Sequence, residues 1–262
     1  MTPGIIAFPM MGASHRFSLA GYRLPKYMLP YSDGYVFDGS VGGFARYHQA
    51  GAEFLFICPN NPSTLDFVSQ RLRALALTNY KIIALQGSTR GQAETVSIGL
   101  SQGRLLARDT SLLIFNIDTI RLDVEFPSAL PWHEAAGALE VARLPGDHWS
   151  FVEPSANERH RAIRTSEKVR ISDLCSTGLY WFASPMAFQT AFEAEIDCEQ
   201  WNRRQKTGQT ELYVAPIFNR LIALGKQVLY YEISPKDMIC LGTPAEYESS
   251  IRDVKGARNA AF

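Results

Sequence analysis

Arg16, Lys26 and Asp118 are the side chains of this sequence best fitted to handle a polyphosphate. Arg16 closes the run Met11-Gly12-Ala13-Ser14-His15-Arg16, and Lys26 follows Pro25 ten residues later. Small residues let backbone N–H groups approach phosphate oxygens, a following helix end adds favourable partial charge, and the two cations can neutralise a triphosphate. Taken alone, a loop with one glycine is more often just a loop. It lacks the Gly-Lys-Ser/Thr ending of a P-loop and the spacing of a dinucleotide fingerprint, which disfavours both classes. Asp118, in Asn116-Ile117-Asp118, is a good Mg²⁺ ligand, because that ion takes one or two carboxylates and completes its shell with water and phosphate. A turn or cap before Thr119 is the competing role.

Two further groups could recognise ligands. In Gln86-Gly87-Ser88-Thr89-Arg90-Gly91-Gln92, the Gln86 amide can read a base edge and Gly87 permits close backbone approach; a solvated turn explains the run equally well. Glu167-Lys168 stands ahead of Gly178-Leu179-Tyr180. A Glu can grip hydroxyls or an amine and a Lys can bind a phosphate, although such a pair is more often a solvated couple.

These residues need elements to position them. Ile5–Phe8, Glu53–Cys58, Lys81–Leu85 and Ser111–Phe115 are short apolar runs that read as buried strands. Helical spacing lies between them, at Leu65, Val68, Leu72 and Leu75 after a Ser63/Asp66 capping pair, and at Ala93, Val96 and Leu100. Alternating strand and helix argue for βαβ units and a largely parallel sheet, in which ligands collect outside the carboxyl ends of the strands. The loops 11–16, 86–92 and 116–118 share that edge.

The second half reads as more antiparallel, with strands at Ala138–Ala142, Trp149–Val152, Leu179–Phe182 and Val228–Tyr231. Ser184 and Pro185 begin one helix; Val214, Ile217, Phe218 and Leu221 mark another, stopped at Gly225. The expectation is an α/β chain with one domain over 1–252, a mixed, mostly parallel central sheet, and a frayed tail over 253–262. Balanced charge, 26 basic against 26 acidic residues, argues against nucleic acid or an anionic membrane face as partner. Cys58, Cys175, Cys198 and Cys240 are scattered and read as reduced thiols. With neither a leader-like start nor an apolar run of spanning length, a cytoplasmic protein is expected.

Together the motifs resemble one family. Pro9-Met10-Met11-Gly12-(x)3-Arg16-Phe17 and Gly21-Tyr22-(x)2-Pro25-Lys26 look like the opening of the sugar-phosphate nucleotidyltransferases. The Gln-Gly loop, Asp118, Glu167-Lys168, Gly178-(x)-Tyr180, Glu211-(x)-Tyr213-Val214-Ala215-Pro216 and Leu241-Gly242-Thr243-Pro244 follow in that family's order, from about residue 4 to 248. Gly91-Gln92-Ala93-Glu94-Thr95 is similar to members that serve capsule and surface-polysaccharide synthesis.

The resemblance implies a GT-A-like, Rossmann-related fold and Mg²⁺-dependent transfer of NMP from an NTP to a phosphorylated small molecule. By it, Arg16 holds the β,γ-phosphates and Lys26 the α-phosphate. Met11, Gly12, Ala13, Ser14, Gln86, Gly87, Gly91, Gln92 and Asn116 border the nucleotide, and Glu167, Lys168, Gly178 and Tyr180 the acceptor. Asp118 binds the metal, with Glu211 as a substitute second ligand. Dimers and tetramers are common in the family. Met11, Ser14 and His15 depart from its loop, and Cys240-Leu241 occupies the stretch where many relatives carry a second metal Asp. A GT-A glycosyltransferase and a noncatalytic nucleotide-binding paralogue are the alternatives; the first has no need of Arg16 and Lys26 facing a triphosphate.

Overall fold

A computed structural model of the chain describes residues 2–198, 201 and 211–259, the last five without their side chains. The expected apolar runs are strands. β1 (Ile5–Pro9) is buried along its whole length. It is followed by a small hairpin, β2 (Pro30–Tyr31) and β3 (Gly34–Tyr35). β4 (Glu53–Pro59), β5 (Tyr80–Leu85) and β6 (Leu112–Phe115) complete a parallel set in the order β5-β4-β1-β6.

A strand covered on both faces needs apolar side chains at successive positions, which is why these segments read as continuous runs rather than alternating ones. Ile5 and Ala7 point into a core that holds Ala93, Val96 and Leu100 of the helix Gln92–Gln102. Ile6 and Phe8 point into the opposite core, with Val68 and Leu72 of the helix Pro62–Ala74. That second helix is not capped by Ser63 and Asp66. Asn61 accepts a hydrogen bond from the Thr64 N–H at 2.9 Å, and Pro62 takes the first helical position, where a missing N–H costs nothing.

Beyond β6 the sheet changes direction. β7 (Thr119–Arg121) leaves it, and β8 (Gly137–Arg143), β9 (Ser150–Pro154), β10 (Ala162–Glu167) and β11 (Leu174–Phe182) supply its second half. β11 runs antiparallel to β6, β8 and β9, and β9 is antiparallel to β10. β12 (Val228–Glu232) closes the edge parallel to β8. The fold is α/β and Rossmann-like, with a mixed nine-stranded sheet whose leading half is parallel.

Ser184 caps the helix Pro185–Ile196 as expected, accepting from the Ala187 N–H at 3.0 Å. The helix expected around Val214 to Leu221 is split into a 3₁₀ turn, Ala215–Ile217, and the α-helix Phe218–Ala223, with Pro216 in the turn. β13 (Met238–Cys240) pairs with β7, and a last helix runs Pro244–Asn259, past Asp253 where a frayed tail was expected; residues 260–262 lie outside the described residues. No described helix is long and apolar enough to cross a membrane.

Candidate active site

The strand order reverses between β1 and β6, and ligands of open α/β sheets bind outside the carboxyl ends at such a point. The loop after β1 and the segment Asn116-Ile117-Asp118 after β6 flank it. A cavity of about 660 Å³ opens here. Met11, Gly12, Ala13, Ser14, Arg16, Lys26, Gly91, Gln92, Asn116, Asp118, Glu167, Lys168, Tyr180 and Glu211 all line it.

The loop after β1 is held by backbone geometry and one side chain. Ser14 adopts a left-handed conformation, φ 50° and ψ 32°, where glycine fits without strain. Its Oγ accepts from the Lys26 N–H at 3.2 Å, which fastens the loop to the segment carrying the lysine. Lys26 Nζ then donates to Asp118 Oδ2 at 2.5 Å, both side chains being largely covered. The helix after the loop, His15–Leu19, is very short, so the local positive charge comes mainly from Arg16 and Lys26 rather than from a macrodipole.

Asp118 sits where two strands diverge. Its carbonyl accepts from the Leu241 N–H at 2.9 Å, so the β7–β13 pairing brings Gly242 beneath its side chain. A Cβ on Gly242 would lie 3.1 Å from Asp118 Oδ2 and 3.7 Å from Glu246 Oε2. Glu246 also forms a capping box with Thr243, accepting from its N–H at 2.8 Å and its hydroxyl at 2.9 Å. No group of three or more His, Cys, Asp or Glu gathers as a metal cluster among the described residues. A donor set of one or two carboxylates fits Mg²⁺, which relies on water and phosphate oxygens for the remainder. Cys240 is a poor substitute ligand here: burial, then Glu246 and Asp118, push its thiol up to about 12.

Glu167, Lys168 and Tyr180, expected to hold the acceptor, line the same cavity, on the wall formed by β9, β10 and β11. Glu167 ends β10 and accepts from the Ser150 hydroxyl of β9. Burial raises its carboxyl above the ordinary value of 4.5, against the opposing pull of Ser150 and Lys168. Lys168 Nζ lies 3.8 Å from Glu167 Oε1 and donates to the Tyr213 hydroxyl. That hydroxyl donates to Glu211, so Glu211 is engaged on this wall, while Glu246 is the carboxylate that shares Gly242 with Asp118. Burial also raises the Tyr180 phenol.

Three expected ligand residues are not on the cavity. Gln86 and Gly87 are exposed and do not line it; Ser88, Thr89 and Arg90 of the same loop do. Gly178 works from behind. It has φ 88° at an irregularity in β11, and a Cβ there would lie 2.4 Å from Asn116 Nδ2. It makes room for Asn116, whose Oδ1 accepts from the Gln92 amide. His148, Trp149, Ser150, Tyr213 and Glu246 also line the cavity and were not singled out by sequence. Tyr213 stands inside the Glu211-to-Pro216 motif, which was a signal; His148 and Ser150 had none.

No protein-family model matches the chain, and no curated protein matches it. The fold, however, overlays a nucleoside-diphosphate-sugar pyrophosphorylase from Vibrio cholerae RC9 with a TM-score of 0.85 at 38% identity, over 94% of this chain and 99% of that one. The chain belongs to that family. An inositol-1-phosphate CTP transferase from T. maritima gives a TM-score of 0.70 at 12% identity, covering 97% of both chains. An apo-UDP-glucose pyrophosphorylase gives 0.71 at 13% identity, covering 98% of this chain and 100% of that one. At such identities these two show the fold alone. Membership of the pyrophosphorylase family agrees with the architecture.

Proposed function

We propose that the chain transfers an NMP unit from an NTP to a phosphorylated small molecule, a sugar 1-phosphate or similar ester, and releases pyrophosphate. The observation that carries this reading is the meeting of Arg16, Lys26 and Asp118 on one cavity at the switch point, with Lys26 Nζ 2.5 Å from Asp118 Oδ2. A site for an already activated nucleotide sugar has less use for two cations beside a metal carboxylate.

The chemistry asks the protein for position and charge rather than for a covalent step. Arg16 binds the β,γ-phosphates, Lys26 the α-phosphate, and the 88–92 loop with Asn116 the nucleoside. Lys168 and Glu167 hold the acceptor so that its phosphate oxygen faces the α-phosphorus in line with the departing pyrophosphate. Asp118, with Glu246 beyond Gly242, is the place for Mg²⁺, which when bound supplies neutralisation of the triphosphate's charge. The products fit a role in supplying activated precursors for capsule or surface polysaccharide.

Incubation with each NTP, Mg²⁺ and a panel containing glucose 1-phosphate, other hexose 1-phosphates and phosphocholine tests the reading. One pair releases pyrophosphate, and Lys26→Ala lowers that turnover by about a hundredfold or more. Absence of pyrophosphate with every pair overturns it.

A further inference from the structure

The segment Glu211-Leu212-Tyr213 touches both walls of the cavity at once. Leu212 is clipped to the nucleotide-side loop through its backbone: its N–H donates to Arg90 O at 2.8 Å, and its carbonyl accepts from the Ala93 N–H at 3.0 Å. The fit is tight, since a Cβ on Gly91, itself at φ 146°, would lie 2.5 Å from Leu212 O. One residue on, Tyr213 reaches the opposite wall. Its hydroxyl accepts from Lys168 Nζ and donates to Glu211, while the ammonium lies 4.5 Å from the centroid of the Tyr213 ring.

Lys168 needs such a partner. It follows the last residue of β10 with φ 56°, a conformation that L residues rarely adopt, and its N–H is fixed to Trp149 O at 2.9 Å. The backbone is therefore set, whereas four rotatable bonds separate it from the charge. A lone lysine in that place costs rotamer entropy each time it engages a ligand. A phenol that accepts from the ammonium while donating its own O–H to a carboxylate removes that freedom beforehand.

We propose that Tyr213, held by Glu211, is a positioning residue that aims the Lys168 ammonium at the acceptor's phosphate, and that the Leu212 clip sets this aim relative to the bound nucleotide. The inference rests on the nucleotidyltransferase reading and extends it to residues that do not themselves contact the reacting atoms. A neutral tyrosine hydroxyl can release the ammonium to a dianionic phosphate, which is the stronger partner, while the ring keeps the lysine on the same arc.

The test is a double-mutant cycle on pyrophosphate release with the acceptor panel above, using Tyr213→Phe, Lys168→Met and the double variant. Tyr213→Phe keeps the ring and is expected to raise the acceptor KM by about tenfold, the worth of one hydrogen bond to a charged group. KM for the NTP and the melting temperature stay at their wild-type values. Lys168→Met raises the acceptor KM further, and the double variant goes no further than Lys168→Met, because the phenol acts only through the lysine. Glu211→Gln gives an intermediate rise of the same kind. Additive effects of Tyr213→Phe and Lys168→Met, or an equal rise in KM for nucleotide and acceptor, overturn the proposal while wild-type turnover leaves the enzyme reading intact. A wild type that releases no pyrophosphate with any pair overturns the enzyme reading itself, and this proposal with it.

Discussion

Gly178 and Ser14 both occupy left-handed backbone, and the cavity needs both. Gly178 leaves space for Asn116, so Gly178→Ala is expected to cost about 1–3 kcal/mol of stability through the strained φ and the contact with Asn116, and to loosen the Gln92–Asn116 bond in the nucleotide wall. Denaturant unfolding checks the first effect and the NTP KM the second. Glu167 gives a pH prediction. Its carboxyl is raised by burial, so whatever it contributes to stability is fully present below the ordinary value of 4.5 and is lost as pH rises through the higher folded value. Glu167→Gln should therefore melt above wild type at pH 7 and lose that advantage below about pH 4.5, with acceptor binding impaired throughout. At this scale the sequence was informative where chemistry and spacing coincided: Arg16, Lys26, Asp118, Glu167 and Lys168 all reach the cavity. Gln86 and Gly87 stand apart from the cavity, exposed, with Gly87 at φ 71°, while Ser88, Thr89 and Arg90 of the same loop line it. Gly178 and Asn116 were each legible as site residues, but the close approach of one to the other was not.

Among elements, the final helix supports the phosphate loop from the far side. Tyr247 packs edge-on against Phe17 and Tyr22, with ring centroids 6.1 and 5.7 Å away, and its hydroxyl donates to Pro30 O at 2.8 Å. Tyr22 Oη donates to Glu248 at 3.1 Å. Tyr247→Ala should cost about 3 kcal/mol, as large aromatic truncations in packed clusters do, and should weaken NTP binding more than acceptor binding because Phe17 adjoins Arg16. Calorimetry and the two KM values separate these effects. The parallel strands were legible because burial on both faces leaves an apolar run. β10 was not, because Ile163 and Arg164 face solvent while Thr165 is bonded inside, to Ala215 O, which breaks any simple pattern. The short helices Val36–Gly42 and Ala45–Gln49 carry too few turns to show a period.

On the scale of the molecule, a buried ion pair braces the junction of the two half-sheets. Arg121, at the end of β7, donates to Glu140 of β8 at 2.8 and 3.2 Å, and Thr177 of β11 donates to the same carboxylate at 2.8 Å. Both charged residues are almost wholly excluded from solvent. Arg121→Met strands Glu140 without its cation and should cost about 3–5 kcal/mol, whereas Arg121→Met combined with Glu140→Leu should recover much of that loss. A thermal-unfolding series over wild type, single and double variants reads this directly. The alternation of strands and helices pointed to the carboxyl edge of the sheet before any contact was known, but the pairing of β13 with β7, which delivers Gly242 and Glu246 to Asp118, joins segments too far apart in sequence for any local pattern to announce.

The convergence of Arg16, Lys26 and Asp118 on a single triphosphate is the claim from which the enzyme reading follows, and a crystal structure of the protein with Mg²⁺ and a non-hydrolysable NTP tests it most directly. The α-phosphate is expected against Lys26, the β,γ-phosphates against Arg16 and the metal on Asp118. Density for the triphosphate anywhere else, or a nucleotide bound with Lys26 still closed on Asp118, would contradict it.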